Sequence, residues 1–168
     1  AYLSRPIELK VEEDTIEWNV DDDAARAVRI DSGALVGAQG AANRFGSDVW
    51  FEGGSSATAD TPGGRGRAPV TVPIAGTRDR DLVATYREGD FAYRIPVRDG
   101  KYAVRLTFVE PSQSPGERVF DVRVNGAVVA AGLDVAFAAG AARTALVRSY
   151  PVEVKGGTLL LEFRPIKG

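Results

Sequence analysis

Residues 91–108 read Phe91-Ala92-Tyr93-Arg94-Ile95-Pro96-Val97-Arg98-Asp99-Gly100-Lys101-Tyr102-Ala103-Val104-Arg105-Leu106-Thr107-Phe108. Phe91, Tyr93, Ile95 and Val97 alternate with other residues, and so do Tyr102, Val104, Leu106 and Phe108. That period of two is the mark of a strand with one face in a core and one in water. Between the two runs, Arg98-Asp99-Gly100-Lys101 carries the Asp-Gly pair of a tight turn, so the stretch predicts a β-hairpin. Downstream, Phe120, Val122 and Val124 run into Asn125-Gly126, a strong hairpin signal, followed by Val128 and Val129. Further strands are predicted from Ala145 to Val154 and from Leu159 to Phe163, joined by Lys155-Gly156-Gly157-Thr158. Upstream, Ile7, Leu9 and Val11 alternate with Glu8, Lys10 and Glu12 after Pro6, and Ile16, Trp18 and Val20 repeat the pattern. Asp21-Asp22-Asp23 before Ala24 reads as the acidic cap of a short helix or turn. Glu52-Gly53-Gly54-Ser55-Ser56 and the stretch from Thr61 to Pro69 read as loops. No long segment repeats with the helical period. The fold class is all-β, a two-layer sandwich.

A chain of 168 residues, 44% hydrophobic and 26% charged, fits one globular domain that needs no disulfide staples. No apolar run approaches the ~20 residues that cross a bilayer, so no membrane insertion is expected. A net charge of -2 offers no basic excess for nucleic acid, and Arg65 and Arg67 lack the interleaved aromatics of a stacking segment. Cys, His and Met are all absent. That removes thiol nucleophiles, histidine bases and Cys/His metal centres, so no metal and no cofactor are expected. Glu8, Glu12, Glu88, Glu110, Glu117 and Asp121 supply carboxylates, but spacing pairs none of them as a glycosidase requires. Gly100-Lys101 lacks the rest of a phosphate loop. The chain is expected to be no enzyme. Its first residue, Ala1, is expected to be a processed or trimmed start.

The motifs form an ordered series. Ile30-Asp31-Ser32-Gly33 comes first, then Phe45, Asp48, Phe51 and Gly53-Gly54, then Tyr86-Arg87 with Phe91, Tyr93, Ile95 and Pro96. Gly100-Lys101-Tyr102, Arg105-Leu106, Phe108 and Glu110 follow, then Gly116, Arg118-Val119-Phe120-Asp121-Val122, Val124-Asn125-Gly126, Asp134 and Gly140. Over about residues 28 to 164 this series resembles the malectin and malectin-like domain family. The resemblance implies a jelly-roll-like β-sandwich without catalytic machinery, of the kind that binds oligosaccharides in the endoplasmic reticulum or sits on receptor ectodomains and bacterial glycoside hydrolases. It implies an oligosaccharide or cell-surface glycan as partner and a secreted, extracellular or periplasmic location. It also implies a glycan site at Tyr86, Arg87, Glu88, Glu110, Ser112 and Gln113, with Trp50 as a further platform. Glu88 and Ser112-Gln113 stand where the family carries aromatics, and the family's acidic position would fall beyond Gly168. Aromatic faces supply most of a sugar's apolar contact, so weak affinity is expected. The competing reading makes Arg87 and Glu110 fold-stabilising pairs, with Tyr86 and Trp50 partly in the core.

The ends suggest a division into 1–27, a strand segment with its linker, and 28–168, the sandwich. The resemblance implies one more closing strand after the Leu-x-Phe run, whereas this chain reads Phe163-Arg164-Pro165-Ile166-Lys167-Gly168. Its first nine residues, Ala1 to Leu9, are similar to that closing strand. Leu3, Ile7, Leu9 and Val11 are therefore expected to fill a sandwich groove. The groove could belong to the same chain, or to the next copy in a head-to-tail filament built by strand exchange. The segment could also be the trailing strand of a preceding repeat.

Overall fold

The computed structural model describes residues 2–3, 7–11, 27–35, 45–60 and 71–168. The predicted strand at Ile16–Val20, the Asp21–Asp23 cap and the Thr61–Pro69 loop lie outside them. Among the described residues the strands are β1 (Tyr2–Leu3), β2 (Ile7–Val11), β3 (Ala27–Ile30), β4 (Phe51–Thr58) and β5 (Thr85–Pro96). They continue as β6 (Gly100–Phe108), β7 (Val119–Val124), β8 (Ala127–Leu133), β9 (Leu146–Val154) and β10 (Thr158–Lys167), with a 3-10 turn at Asp81–Val83 and one short α-helix, α1 (Val135–Ala139). One sheet runs β1-β5-β10-β7-β8 with β4 also on β5, and the other runs β3-β2-β6-β9. The protein is an all-β sandwich.

The alternation that predicted strands also builds the core. Phe91, Tyr93 and Ile95 of β5 are buried from one sheet, and Val104, Leu106 and Phe108 of β6 from the other. Phe163 of β10 stacks on Phe91 with ring centroids 4.6 Å apart, and Phe108 meets Phe120 at 5.8 Å. Burying side chains of this size contributes about 1.5–3 kcal/mol each before conformational entropy is subtracted.

Two expectations need correction. First, β5 and β6 do not form a hairpin. β5 is bonded to β4 along one edge and to β10 and β1 along the other, while β6 is bonded to β2 and β9. Neither strand has an edge left for the other, so Val97–Asp99 crosses from sheet to sheet. The Asp-Gly pair serves that crossing: Gly157 N donates to Asp99 Oδ1 at 2.7 Å, and Val97 N donates to Gly157 O at 3.1 Å. These ties lash it to the second crossing, between β9 and β10. Backbone N–H groups of Gly156 and Gly157 hold the Asp99 carboxyl below its ordinary pKa.

Second, Glu52–Ser56 is not a loop but most of β4. Gly53 and Gly54 have φ of 76° and 63°, and the register to β5 shifts between Gly53 and Ser55. A Cβ on Gly53 would lie 2.7 Å from Asp90 O, and one on Gly54 2.6 Å from Glu88 O. The glycines mark a bulge pressed against its neighbour.

The Asn125-Gly126 hairpin is as expected. It joins β7 to β8 with φ of 48° and 83°, both positive as a tight primed turn requires. At the N-terminus, β1 pairs with β5 through Tyr2↔Glu88 and Leu3↔Arg87. β2 lies between β3 and β6, with Ile7 opposite Ile30, Leu9 opposite both Val28 and Val104, and Val11 opposite Tyr102. The first eleven residues thus give one strand to each sheet.

Candidate functional site

The start of β5 sends successive side chains into different surroundings. Arg87, 4% exposed, turns into a closed polar network. Its Nε and Nη2 donate to Asp48 Oδ2 at 3.0 and 2.7 Å, and its Nη1 donates to Gly53 O at 2.9 Å. Its guanidinium carbon lies 3.5 Å from the centre of the Phe51 ring. Asp48 Oδ2 also accepts from Gly33 N at 2.8 Å, and Asp48 Oδ1 accepts from the Tyr93 hydroxyl at 2.6 Å. Ser32 Oγ bonds the same hydroxyl at 2.7 Å. Burial pushes the Tyr93 phenol far above its ordinary pKa, and the Asp48 charge adds to the shift. Gly33 lets this knot close, because a Cβ there would sit 2.4 Å from Tyr86 O. Every nitrogen of Arg87 is engaged, so its geometry is that of a structural tie.

Tyr86 belongs to a different group. It is buried with Ala59, against Ala57 and Ile74. Its phenol is raised first by burial, then by the charges of Glu88 and Glu110, with Arg118 and Arg143 opposing. These groups share one end of the sandwich. Glu110, 2% exposed, organises it. Its Oε1 accepts from Ser112 N at 3.0 Å and Gln113 N at 2.8 Å, while Oε2 pairs with Arg118 Nε at 3.0 Å. Arg143 N donates to Glu110 O at 2.7 Å, and Arg143 Nη1 reaches Ala59 O at 3.4 Å. Asp134 extends the frame, accepting from Phe137 N at 2.9 Å and from Gly116 N. The result is a fixed loop that presents exposed Ser112 and half-buried Gln113, with half-buried Glu88 nearby.

The structure therefore brings Tyr86, Glu88, Glu110, Ser112 and Gln113 together and separates the other two candidates. Arg87 lies inside under Phe51. Trp50 sits at the opposite end of β4, where its O accepts from Arg94 N at 2.8 Å. Leu3 lies opposite Arg87 in register, and Ile7, Leu9 and Val11 lie in the other sheet, with Glu8 opposite Arg105 and Val11 opposite Tyr102. Spacing did not single out Tyr93, Arg118 or Arg143 as partners in these networks. Arg143 carries no local signal at all, because its role is set by Ala59 and Glu110, both distant in sequence. Both Glu110 oxygens are engaged, and among the described residues no group of three or more acidic, His or Cys side chains is placed to hold a metal ion. Among the same residues no helix is long and apolar enough to cross a membrane.

Two antiparallel sheets with this framed loop at one end make a β-sandwich module. The Malectin domain model matches residues 8–167, and the chain belongs to that family. Malectin-A of Xenopus laevis is 36% identical over 100 residues, covering 55% of this chain and 36% of the relative. Malectin of Homo sapiens is 32% identical over 100 residues, covering 55% and 34%. The chain spans about a third of the length of these curated relatives. Among solved structures, Bacteroides uniformis β-glucuronidase 2 bound covalently to cyclophellitol-6-carboxylate aziridine superposes with a TM-score of 0.66 at 21% identity, covering 84% of this chain and 16% of that one. Another Bacteroides uniformis β-glucuronidase structure gives 0.52 at 22% identity, covering 79% and 14%. Those two likenesses concern the fold.

Proposed function

We propose that this chain is a non-catalytic glycan-binding module, secreted or periplasmic, whose binding surface is the loop end framed by Glu110. The observation that carries the reading is the pre-shaped loop: one buried carboxylate fixes the amides of Ser112 and Gln113 beside Tyr86 and Glu88, in a chain that belongs to the malectin family. A rigid polar rim orients sugar hydroxyls at little entropic cost. Tyr86 is largely buried and the described rim otherwise carries Glu88, Ser112 and Gln113, so an oligosaccharide or cell-surface glycan binds with a dissociation constant near ~1 mM, about 4 kcal/mol. Catalysis finds no support, since Glu110 is spent on its own loop and Arg87 on Asp48. The coverage of larger glycosidases fits a module carried by a bigger protein.

The test is an oligosaccharide panel for binding and an aryl-glycoside panel for turnover. Binding of at least one oligosaccharide that Glu88→Ala with Gln113→Ala weakens several-fold, with no turnover, supports the reading. Turnover that Glu110→Gln abolishes overturns it, as does a panel with no binder.

A second reading concerns assembly. On it, residues 1–27 are a donor segment and 28–168 an acceptor sandwich, and Ile7–Val11 enters the next copy to build a head-to-tail filament. Within one chain β2 already fills the place between β3 and β6, and the reading rests on the point that a neighbour's strand would fit the same edges in the same register. Sedimentation across concentration decides: large species that survive dilution support exchange, and a concentration-independent monomer excludes it.

A further inference from the structure

Arg143 combines a strained backbone with a charge that no carboxylate neutralises among the described residues. Its φ is 56°, the left-handed region that glycine and asparagine tolerate and a long side chain adopts only under constraint. The constraint acts from both sides. Arg143 N donates to Glu110 O at 2.7 Å, and Arg143 O accepts from Ala75 N at 2.8 Å. The guanidinium gains little from this placement: Nη1 reaches Ala59 O only at 3.4 Å, and the neighbouring cation, Arg118, is the one that pairs with Glu110. Strain of this kind collects where a ligand is gripped.

The surroundings fix where that charge lies. Ala59 packs on Tyr86 together with Ala57 and Ile74, and Ala75 bridges Thr144. Tyr86 and Glu88 face Ala57 and Ser55 in unbroken register, so they share one face of β5. The Tyr86 phenol, raised first by burial, is raised further by Glu88 and Glu110 and lowered by Arg118 and Arg143. Arg143 and Glu88, both half-buried, therefore flank one phenol without pairing with each other. Each charge is partly withdrawn from water and lacks a counter-ion among the described residues. A guanidinium in that position calls for an anion, and a carboxylate calls for hydroxyl donors.

We infer that Arg143 is the specificity-determining residue of the loop-end site and that it selects a uronic acid, with the sugar's carboxylate on the Arg143 guanidinium and ring hydroxyls toward Glu88. A guanidinium fork matches a carboxylate with two parallel hydrogen bonds. A uronate carries that carboxylate and the hydroxyls on one ring. Because Arg118 neutralises Glu110, the choice between a charged and an uncharged sugar falls to Arg143 in contact and Glu88 on the hydroxyl side. The inference rests on the glycan-binding reading above and names the sugar class for it.

The full chain is titrated with digalacturonic, cellobiouronic and dimannuronic acids, each beside its methyl ester, which keeps the ring and its hydroxyls and removes the charge. At least one acid is expected to bind about fivefold or more tighter than its ester, the difference shrinking as salt is added. Arg143→Asn accepts the left-handed backbone and deletes the guanidinium. It is expected to bring that acid down to the level of its ester while melting at the same temperature or about 2–4 °C higher. An acid preference that survives in Arg143→Asn overturns the inference. So does an Arg143→Asn variant that melts lower, which would make the guanidinium a structural tie. Acids that bind no tighter than their esters, while Glu88→Ala with Gln113→Ala weakens any oligosaccharide of the wider panel, remove the uronate and leave the loop-end reading standing. No binding by these six sugars or by the wider panel removes both.

Discussion

Asp48 and Glu110 are both carboxylates buried against an arginine, yet they do different work. Asp48 joins segments far apart in the chain: the turn at Gly33, the start of β5 at Arg87 and its middle at Tyr93. Glu110 spends one oxygen on Ser112 and Gln113, its immediate neighbours, and the other on Arg118. The first carboxylate welds the sandwich, and the second shapes a loop. A buried ion pair alone therefore does not mark a functional site. What matters is whether its hydrogen bonds run between distant elements or into the surface the solvent sees.

The contrast is broken most forcefully at Asp48. Asp48→Ala strands the Arg87 guanidinium and should lower unfolding free energy in urea by about 3–5 kcal/mol. Glu110→Gln should cost less, about 1.5–3 kcal/mol, because the loop can open toward water. Its signature is local, with amide exchange at Ser112 and Gln113 accelerating more than exchange in β5 or β6. If Glu110→Gln proves the more damaging of the two, the division of labour is reversed.

Tyr93→Phe sharpens the comparison by leaving Arg87 in place while removing the Asp48 and Ser32 bonds to the hydroxyl, a loss of about 1–2 kcal/mol near neutral pH. It also changes the alkaline limb. The folded-state pKa of Tyr93 is raised, so the unfolded chain releases its proton first, and stability present below pH 10 is lost as pH rises beyond that value. Melting temperatures recorded from pH 9 upward should fall less steeply in Tyr93→Phe, with the remainder carried by Tyr86, Tyr102 and Tyr150, whose phenols are also raised. Smallest of all, Arg94→Ala removes an exposed pair and should move stability by no more than about 0.5 kcal/mol.

The class of the fold was legible because alternation is local: Phe91 to Ile95 and Val104 to Phe108 are inward-facing as their spacing predicts. Which edges bond was not, since a period of two fixes the buried face and says nothing of the partner strand. The Asp99-Gly100 turn therefore read as a hairpin although it crosses between sheets, while Asn125-Gly126, whose strands do pair, read correctly. Gly53-Gly54 suggested a loop because glycine signals an unusual backbone without saying whether that backbone lies in water or against a neighbour. At the site, the residues that meet around Glu110 were gathered by family resemblance, not by spacing. The Asp48–Arg87 bond spans 39 positions, which no local pattern encodes.

The most direct test is amide shift mapping of the whole chain titrated with the tightest-binding oligosaccharide of the panel. The largest shifts should fall on Glu88, Ser112 and Gln113 and saturate near ~1 mM. Shifts confined to Asn125–Gly126 and Lys155–Gly157, at the other end of the sandwich, would contradict the assignment of the loop end as the glycan surface.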